Sequence, residues 1–441
     1  MKITKKRWEQ AIQKLGIVAL TEMQLKTLEV SANHGDLLIL SPTGTGKTLA
    51  FLLPVLESLR SEIKDVQVLI ITPSRELAQQ IESVIRSMGT EFKVNSCYGG
   101  HSKTIEKNNF SLPPAVIVGT PGRLADHIRS GNFSVNSILT LVLDEFDKSL
   151  EFGFQEEMSF IISSLTAVNK RILSSATDLP EIPEFTGLKS PYILNYLLEE
   201  KQSNKLIINV VKSKNKDKLD CLFQLLCNIP STSTLIFCNH REAVERISKH
   251  LSQAGIINDY FHGGLEQSER ERMIVRFRNG SSNILITTDL ASRGLDIPEI
   301  SHIIHYQLPA GETAYIHRNG RTARMNSAGS SFLILAEDEA IPEYLTTGYN
   351  DFRIPDEMSL PAKPLWQTLY IGGGKKDKIN KMDIVGFLSK QGGLGKDELG
   401  HIDVRDHHSY AAIKRELIQS VLTKVKNTKI KNKKLKIEIS Y

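Results

Sequence analysis

A glycine-rich segment at residues 41–48, Ser-Pro-Thr-Gly-Thr-Gly-Lys-Thr, constrains the fold of this 441-residue chain more than any other feature. An apolar run at 37–40, typical of a buried strand, precedes it, and a stretch at 49–53 that predicts a helix follows it. A glycine-rich turn in that position directs successive backbone N–H groups at one place, where the helix dipole also attracts anions. Lys47 would then reach the phosphates of a nucleotide, and the Thr48 hydroxyl would hold Mg²⁺. The segment predicts a nucleoside triphosphate site, and an ordinary strand–turn–helix is the less favoured interpretation.

The same pattern of short apolar runs separated by helix-like stretches extends along most of the chain. The first set of runs lies at 37–40, 68–71, 115–118, 141–143 and 172–173, and the second at 235–237, 284–286, 303–304 and 332–335. Strands that are apolar on both faces are typical of a parallel sheet covered by helices. A polar, lysine-rich stretch at 212–218 precedes the second set. We therefore predict two tandem α/β domains, with a boundary near residues 198–206.

The pattern changes after Pro355, Pro361 and Pro364, which mark an extended linker. Beyond them the sequence predicts the order β-α-β-β-α-β. The strands are expected near 366–371, 401–404, 409–413 and 433–439, and the helices near 381–390 and 414–425. We predict domains at 1–198 and 206–354, a linker at 355–363, and a small ferredoxin-like α+β domain at 364–441.

The composition is that of a soluble globular protein, with 40% hydrophobic and 24% charged residues. No apolar stretch approaches the ~20 residues of a membrane span, and the basic start of the chain lacks the apolar segment of a signal peptide. The four cysteines show no metal-ligand spacing and are too few for a disulfide framework. We expect a cytoplasmic monomer without a membrane partner.

The excess positive charge is confined to the C-terminal segment. Residues 364–441 contain 16 Lys and Arg against 8 Asp and Glu, a net charge of +8, whereas the first 363 residues sum to −3. A compact basic domain beside nearly neutral ones is typical of a protein that binds nucleic acid. A lysine-rich surface kept for solubility is the alternative.

An acidic motif follows the predicted strand at 141–143, and it begins with Asp144 and Glu145. A carboxylate at the end of a strand near the phosphate loop can hold Mg²⁺ through water. Its neighbour can polarise the water that attacks the γ-phosphorus. An exposed acidic turn is the alternative interpretation.

Three arginines, Arg318, Arg321 and Arg324, recur at i, i+3 and i+6 in the second α/β domain. They fall roughly along one side of a turn–helix element and could reach the phosphates of a nucleotide held mainly by the other domain. Arginines supplied in this way stabilise charge that develops during phosphoryl transfer. Taken alone, the stretch is equally typical of a salt-bridged surface helix, but the phosphate loop favours the functional interpretation.

With these motifs in place, the sequence resembles the DEAD-box family of ATP-dependent RNA helicases over essentially its whole length. The likeness is carried by residues 16–24 (the family's Q motif), 41–48 (motif I), 72–77 (Ia), 99–100 (the paired glycines), 120–123 (Ib), 144–147 (II), 175–177 (III), 235–239 (IV), 267–270 (the QxxR element), 288–296 (V) and 317–324 (VI). The resemblance implies two RecA-like domains, ATP and Mg²⁺ as cofactors, and RNA as the partner.

The resemblance also implies roles for individual residues, with Gln24 reading the adenine edge and Asp296 holding the ribose. It assigns nucleotide binding to Ile17, Gln24, Thr43, Gly44, Thr45, Gly46, Lys47, Thr48, Asp296, Arg321 and Arg324. It assigns catalysis to Lys47, Asp144, Glu145, Asp147, Ser175, Thr177, His317, Arg321 and Arg324, with Mg²⁺ on Thr48 and Asp144. It assigns RNA contact to Arg75, Gly100, Thr120, Gly122, Arg123, Gln267, Arg270, Thr288 and Arg293.

The sequence departs from the family pattern at several positions. Motif II has Phe146 where the family has alanine, and we expect this ring to point into the packing. Motif I has Ser41 for the usual alanine, and the Q motif has Leu20 for the usual proline. Ile17 stands where an aromatic side chain often meets the adenine.

The C-terminal segment resembles the RNA-recognition domain that ends bacterial DbpA-type helicases, which are associated with assembly of the large ribosomal subunit. Residues 369–379, 383–386, 400–404 and 409–410 carry this likeness. The basic loop with Lys375, Lys376 and Lys378 is the expected RNA contact, through phosphates and a shaped stem-loop. Base stacking on the sheet would rest on little beyond Tyr370 and Tyr410. A small ferredoxin-like domain that binds protein is the alternative.

The function that follows is an RNA-stimulated ATPase that couples ATP hydrolysis to local separation or remodelling of short RNA duplexes. The expected substrate is structured RNA, in particular ribosomal RNA or its precursor particles during large-subunit assembly. An RNA clamp or annealing factor in which ATP only regulates the grip is the alternative, because RNA binding in a closed state would use the same residues.

Overall fold

A computed structural model describes residues 7–100, 103–179, 181–197, 206–289, 300–322, 328–345, 348–426 and 428–441. Within these ranges the chain forms two compact units. The first unit holds one parallel sheet, and the second holds another parallel sheet together with a small antiparallel one.

The first sheet has seven parallel strands in the order β3-β4-β2-β5-β6-β1-β7. The strands are β1 (Asp36–Leu40), β2 (Val68–Ile71), β3 (Val94–Cys97), β4 (Val116–Gly119), β5 (Thr140–Leu143), β6 (Lys170–Ser175) and β7 (Tyr192–Asn195). The helices are α1 (Arg7–Lys14), α2 (Glu22–Ser31), α3 (Lys47–Ser58), α4 (Arg75–Ser87), α5 (Lys103–Asn109), α6 (Pro121–Arg129), α7 (Phe146–Glu151) and α8 (Gln155–Ser164). Two apolar cores lie on the two faces of the sheet, one built around α3 and α4 and the other around α6 and α8.

Parallel pairing brings the predicted motifs to one edge of this sheet, because all its strands point the same way. The phosphate loop follows β1, the acidic motif follows β5, and residues 175–177 follow from β6, and these three strands are neighbours in the order β5-β6-β1. The predicted RNA motifs follow β2, β3 and β4, which are neighbours in the order β3-β4-β2. One half of the edge therefore carries the predicted nucleotide residues and the other half the predicted RNA residues.

The second sheet also has seven parallel strands, in the order β10-β11-β9-β12-β13-β8-β14. The strands are β8 (Leu206–Lys212), β9 (Thr234–Cys238), β10 (Asp259–Phe261), β11 (Ile284–Thr288), β12 (His302–His305), β13 (Gly329–Leu335) and β14 (Tyr349–Asp351). The helices described around it are α9 (Leu219–Asn228), α10 (Arg241–Gln253), α11 (Gln267–Arg278) and α12 (Glu312–Asn319). Motif IV lies in β9 and the residue after it, motif V begins at Thr288, the last residue of β11, and motif VI begins on α12, which follows β12. Strand β9 pairs with both β11 and β12.

The third sheet is antiparallel, with the order β16-β17-β15-β18. Its elements are β15 (Trp366–Ile371), α13 (Lys381–Lys390), β16 (Leu399–Val404), β17 (Ser409–Lys414), α14 (Ile418–Val425) and β18 (Ile437–Ile439). Leu369 and Ile371 of β15 face a core that includes Ile384 and Val421 from the two helices. This arrangement confirms the predicted β-α-β-β-α-β order.

The other face of the third sheet packs against the chain segment that follows α11. Thr368, which alternates with the core residues of β15, is fully buried. Its Oγ1 lies 2.7 Å from Ser281 Oγ and accepts a hydrogen bond from Asn279 Nδ2 at 3.1 Å. Arg415 Nη2 donates to Ser281 O at 2.8 Å. The sheet face that an RNA-recognition fold would offer to bases is thus partly covered by the second RecA-like domain.

The predicted fold class is confirmed as two RecA-like parallel sheets and a small α+β domain. Several strands were not predicted, among them β3 and β10, because Asn95, Ser96 and Asp259 interrupt their apolar pattern. The last helix begins at Ile418, four residues after its predicted start, and the last strand covers only the end of the predicted range. Among the described helices, none is long and apolar enough to cross a bilayer.

Candidate nucleotide and RNA site

The loop after β1 has the backbone of an anion-binding turn. Gly44 and Gly46 have φ values of 87° and 93°, a region that side chains with a Cβ rarely adopt. A Cβ on Gly46 would also lie 2.5 Å from Gln24 Nε2, so this position accepts only glycine without a shift. Thr45 Oγ1 and Ser41 Oγ, 2.6 Å apart, brace the turn. The first helical residue after it is Lys47, so the helix N-terminus opens onto the loop.

Lys47 lies in the cradle that this loop forms. The residue is 8% exposed, and its Nζ donates hydrogen bonds to Ser41 O and, at 3.2 Å, to Pro42 O. An ammonium group that lies in the loop and donates to carbonyl oxygens can exchange these contacts for charge-assisted bonds to phosphate oxygens. Thr43 lies in the turn, and Thr48, partly exposed, is the second residue of α3. This part of the predicted site therefore fits a triphosphate.

Gln24 connects the Q motif to the phosphate loop. Its Oε1 accepts the Thr21 N–H at 2.9 Å, which closes a capping box at the start of α2. Its Nε2 donates to Gly46 O at 3.2 Å. Both ends of this amide thus hold the loop in shape, and adenine reading by Gln24 stays a prediction. Ile17 packs, partly buried, against the core beside α3.

Asp144 lies at the end of β5 and is 3% exposed. Burial, and then the neighbouring charge of Glu145, raise the pKa of this carboxyl to about 6, against the opposing effect of the hydrogen bond from Ser174. Its Oδ1 accepts hydrogen bonds from Ser174 Oγ and from the Glu145 N–H at 3.0 Å. An oxygen ligand of this kind, with the Thr48 hydroxyl, matches the donor set that Mg²⁺ prefers. The positive charge of Lys47 also favours the ionised carboxylate.

Glu145 adopts a left-handed backbone conformation, with φ 47° and ψ 52°. Such a conformation is costly for a residue other than glycine and is concentrated at functional sites. Its carboxylate is buried, and no described residue hydrogen-bonds its Oε2. Burying an unsatisfied carboxylate oxygen costs free energy, and a bound water would satisfy it. The geometry is therefore suited to holding a nucleophilic water.

Motifs II and III are linked by a hydrogen bond. Thr177 Oγ1 donates to Asp147 Oδ2 at 3.1 Å. Ser175 Oγ donates to Thr177 O at 2.6 Å, so it shapes the motif III turn and leaves the contact with motif II to Thr177 and Ser174. Ser174 was missed by the sequence analysis, because a serine inside a strand carries no signal of its own until the neighbouring strand is known.

Phe146 points into the core beneath the sheet, as predicted. The residue is fully buried, and its ring centroid lies 6.1 Å from that of Phe185. It belongs to the core around α6 and α8, with Leu143 and Leu173. The bulky ring is therefore accommodated on the side of motif II that faces away from Asp144 and Lys47.

The predicted RNA residues of the first domain also come together. Arg75 begins α4 and lies against the paired glycines, because a Cβ on Gly100 would be 2.5 Å from Arg75 Nη1. Thr120 precedes α6, and Gly122 and Arg123 form its first turn. Arg123 Nη1 donates to Glu106 Oε2 at 2.9 Å. Glu106 is a further residue that the sequence analysis did not single out.

In the second domain, Arg318 is fully buried and joins three motifs. Its guanidinium donates to Asp289 Oδ1 and Oδ2, both at 2.6 Å, and to Asn239 Oδ1 at 2.8 Å. It also lies over the Phe237 ring, 5.1 Å from the centroid. Burial, and then the Arg318 charge, lower the pKa of His305 to about 3, so this imidazole is neutral. Spacing identified three arginines but could not indicate which one faces inward.

The other predicted residues of the second domain lie on several separate elements. His317 and Arg321 are buried, 4% and 6% exposed. Arg270 donates to Leu265 O at 3.1 Å and to Gly263 O, and Gln267 Nε2 donates to Glu271 Oε1 at 3.3 Å. Thr288 ends β11. The predicted residues Arg293, Asp296 and Arg324 lie outside the described residues.

The predicted basic loop of the C-terminal domain is exposed. Lys375 and Lys376 lie in a short 3-10 turn, and Lys378 follows it with φ 62°. Asp377 inside the loop pairs with Lys433 at 2.9 Å, and this contact lowers the pKa of the Asp377 carboxyl. The two sheet tyrosines differ in accessibility, because Tyr410 is only 4% exposed and Tyr370 is half-buried. The loop is therefore more accessible to RNA than the sheet is.

Comparisons with known proteins agree with this arrangement. Family models match residues 21–183 (DEAD/DEAH box helicase), 217–326 (helicase conserved C-terminal domain) and 368–439 (DbpA RNA binding domain). The ATP-dependent RNA helicase DbpA of Bacillus subtilis is 31% identical, and that of Escherichia coli 30%, each over 97% of this chain and 96% of the relative. The structure of S. cerevisiae Dbp5 bound to RNA and ADP BeF3 matches with a TM-score of 0.69 and 28% identity, over 76% of this chain and 88% of that one.

The chain belongs to the DEAD-box family of ATP-dependent RNA helicases. It is an RNA-stimulated ATPase that converts ATP and water to ADP and phosphate. The family resemblance is confirmed, and so is the use of ATP and the binding of RNA. Within this DEAD-box helicase, the roles of individual site residues stay predictions.

Replacing Phe146 with alanine, the residue typical of the family motif, is expected to destabilise the first RecA-like domain. Deleting a fully buried phenylalanine ring leaves a cavity that costs about 3 kcal/mol or more. The thermal unfolding midpoint of that domain, followed by circular dichroism, should fall by roughly 6 to 12 °C. Val18→Ala, at a wholly exposed apolar side chain, is the control and should leave it unchanged. An unchanged midpoint in F146A would mean that the ring contributes nothing to this core.

Proposed function

We propose that this helicase locally separates or remodels short duplexes in structured RNA, with ribosomal RNA of the large subunit as its target. The observation that carries the proposal is the division of one sheet edge. The predicted nucleotide loops follow β1, β5 and β6, and the predicted RNA loops follow the adjoining strands β2, β3 and β4. A structural change in the predicted nucleotide loops could reach the predicted RNA loops directly, because β5 and β2 are neighbouring strands.

In this proposal each residue near the phosphates has a separate role in binding or hydrolysis. Lys47 and the N–H groups of residues 43–48 bind the triphosphate, and Thr48 and Asp144 hold Mg²⁺. Bound Mg²⁺ would neutralise charge on the β- and γ-phosphate oxygens. Glu145 orients the attacking water and accepts its proton. The hydrogen bond between Asp147 and Thr177 would carry the state of motif II to motif III.

The proposal also includes contacts with three parts of the nucleotide, namely the adenine, the ribose and the phosphates. Gln24 reads the adenine edge from its position against the phosphate loop, with Ile17 nearby, and Asp296 holds the ribose. Arg321 and Arg324 stabilise charge developing on the phosphates after the RecA-like domains close on ATP, in the manner of arginine fingers. The motif resemblance and the burial of His317 and Arg321 support these assignments.

RNA backbone contacts are proposed for both RecA-like domains, with basic side chains and N–H groups directed at phosphates. They comprise Arg75, Gly100, Thr120, Gly122 and Arg123 in the first domain and Gln267, Arg270, Thr288 and Arg293 in the second. The packing of Arg75 on the paired glycines supports the first set.

The C-terminal domain is the proposed targeting module. Its net charge of +8, its exposed Lys375, Lys376 and Lys378, and its likeness to the DbpA RNA binding domain support contact with a structured stem-loop. The proposal also includes a monomeric state and a cytoplasmic location. The four cysteines, which are buried free thiols as is usual in a reducing compartment, support the location.

Glu145→Gln is expected to retain ATP and RNA binding and to lower ATP turnover by a factor of about 10² to 10⁴, because general-base contributions have that size. RNA-stimulated ATPase and displacement of a short labelled strand are measured together, with the exposed Glu156→Gln as the matched control. Parent protein that hydrolyses ATP without displacing the strand would favour the clamp or annealing function. Normal turnover in E145Q would mean that the water is activated elsewhere.

Arg321→Ala is expected to lower turnover about 10³-fold or more, while the affinity for ATP changes little. The reason is that an arginine finger acts on charge that develops only in the transition state. Single-turnover hydrolysis and equilibrium binding of a fluorescent nucleotide separate the two effects. Arg246→Ala, at an exposed arginine, is the control. Equal losses of binding and turnover would mark Arg321 as an ordinary ground-state ligand.

Reversing the charges of Lys375, Lys376 and Lys378 to glutamate is expected to remove the preference for a large-subunit ribosomal stem-loop over a scrambled duplex. Each lost phosphate contact should also flatten the logarithmic salt dependence of binding by about one unit. Reversal of Lys390, Lys396 and Lys429, three exposed lysines of the same domain, is the charge-matched control. An unchanged preference and salt slope would point to a protein partner for this domain.

A further inference from the structure

A buried carboxylate lies beneath the predicted RNA-binding loops of the first domain. Glu106, on α5, is only 3% exposed, and it has no place in the nucleotide chemistry described above. Its Oε2 accepts hydrogen bonds from Arg123 Nη1 at 2.9 Å and from His127 Nε2 at 2.7 Å. Its Oε1 accepts the Tyr98 N–H at 3.2 Å. One side chain thus joins three separate pieces of the chain.

Two of these pieces carry predicted RNA contacts. Arg123 belongs to motif Ib on α6, and Tyr98 immediately precedes the paired glycines that follow β3. The glycines in turn pack against Arg75, whose Nη2 would lie 3.2 Å from a Cβ on Gly99. The Glu106 carboxylate is therefore hydrogen-bonded to Arg123 directly, and through the Tyr98 N–H it holds the turn whose glycines pack against Arg75.

His127 donates to the same carboxylate oxygen as Arg123, from the next turn of α6. It is fully buried, and its Nδ1 lies 2.9 Å from Asn132 Nδ2, so the amide donates and Nε2 carries the proton. A carboxylate oxygen can only accept a hydrogen bond, which agrees with this tautomer. Glu106 is thus held by the His127 imidazole and by the Arg123 guanidinium, whose charge offsets the cost of burying the carboxylate.

We infer that Glu106 is a positioning residue for RNA binding, which fixes Arg123 and the paired-glycine turn at the spacing that an RNA backbone requires. The inference rests on the proposed RNA contact of Arg123. An arginine held in advance loses less side-chain entropy when it meets a phosphate, and this lowers the cost of binding. The carboxylate acts on the RNA only through the groups that it holds.

A metal ion is the other ligand that this cluster could take, since Cys97 Sγ lies within 4.8 Å of Glu106 and His127 ligand atoms. Two observations favour the hydrogen-bonded cluster. Both carboxylate oxygens already accept hydrogen bonds, and burial raises the pKa of the Cys97 thiol well above its usual range. Metal content is nevertheless measurable and forms one arm of the test.

The test is Glu106→Gln, which keeps the shape and removes the charge. The KM for RNA in RNA-stimulated ATP hydrolysis should rise about tenfold, equivalent to about 1.4 kcal/mol, while kcat at saturating RNA changes less than about twofold. Asp126→Asn is the matched control, because it removes an exposed ion pair with Lys103 between the same two helices. That variant should leave the KM for RNA unchanged.

A double-mutant cycle separates positioning from general destabilisation. If Glu106 acts through Arg123, the double variant E106Q/R123A should have about the same KM for RNA as R123A alone. The inference would be overturned if the increases in the KM for RNA caused by E106Q and R123A were additive. Tighter RNA binding by E106Q would also overturn it, because Glu106 would then compete with the RNA phosphate for Arg123. Stoichiometric metal in the parent protein that is lost in E106Q would also overturn it. If R123A left the KM for RNA unchanged, the proposed RNA contact of Arg123 would itself be refuted. If R123A raised the KM for RNA but E106Q did not, only the positioning role of Glu106 would be refuted.

Discussion

The parallel register of β1, β5 and β6 is the constraint on which the nucleotide site depends. Leu40 pairs with Ser175 and Leu143 with Leu173, so the three strands end at similar heights and their loops meet. The Ser41 N–H continues the ladder into the phosphate loop by donating to Ser175 O at 3.1 Å. Because a slip of one residue would turn every side chain to the opposite face, the buried faces on both sides of this sheet also fix the site.

Buried charged groups then hold the loops that follow the strands, in the first sheet and, separately, in the second. Asp144 is held by Ser174, Glu106 by Arg123 and His127, and Arg318 by Asp289. Removing one partner of such a group leaves a buried charge without compensation, and this costs several kcal/mol. Each contact therefore acts as a constraint on loop position more than as a source of net stability. The three groups hold, respectively, the predicted metal site, the predicted RNA loops of the first domain and the motifs of the second domain.

The Phe146 side chain, which departs from the family pattern, is accommodated by core packing and does not displace the residues of the predicted nucleotide site. Phe146 fills the core on the face of the sheet away from Lys47. The third sheet, whose open face could have received bases, instead contacts the second RecA-like domain through Thr368, Asn279 and Ser281. This contact leaves the lysine loop more accessible than the sheet face, which is consistent with the proposal that RNA meets this domain through phosphate contacts.

The sequence by itself determined the fold class, the family and the positions of most strands, because apolar runs and a glycine-rich loop are local signals. It also predicted that Asp144, Glu145 and Lys47 would share a site, since loops at the carboxyl ends of parallel strands meet. Only the tertiary structure decided which polar side chains hold these groups. Ser174 is 30 residues from Asp144 and Arg318 is 79 from Asn239, so no local pattern joins them. The covered face of the third sheet likewise follows from contacts between residues 87 to 89 positions apart, which exist only after the chain has folded.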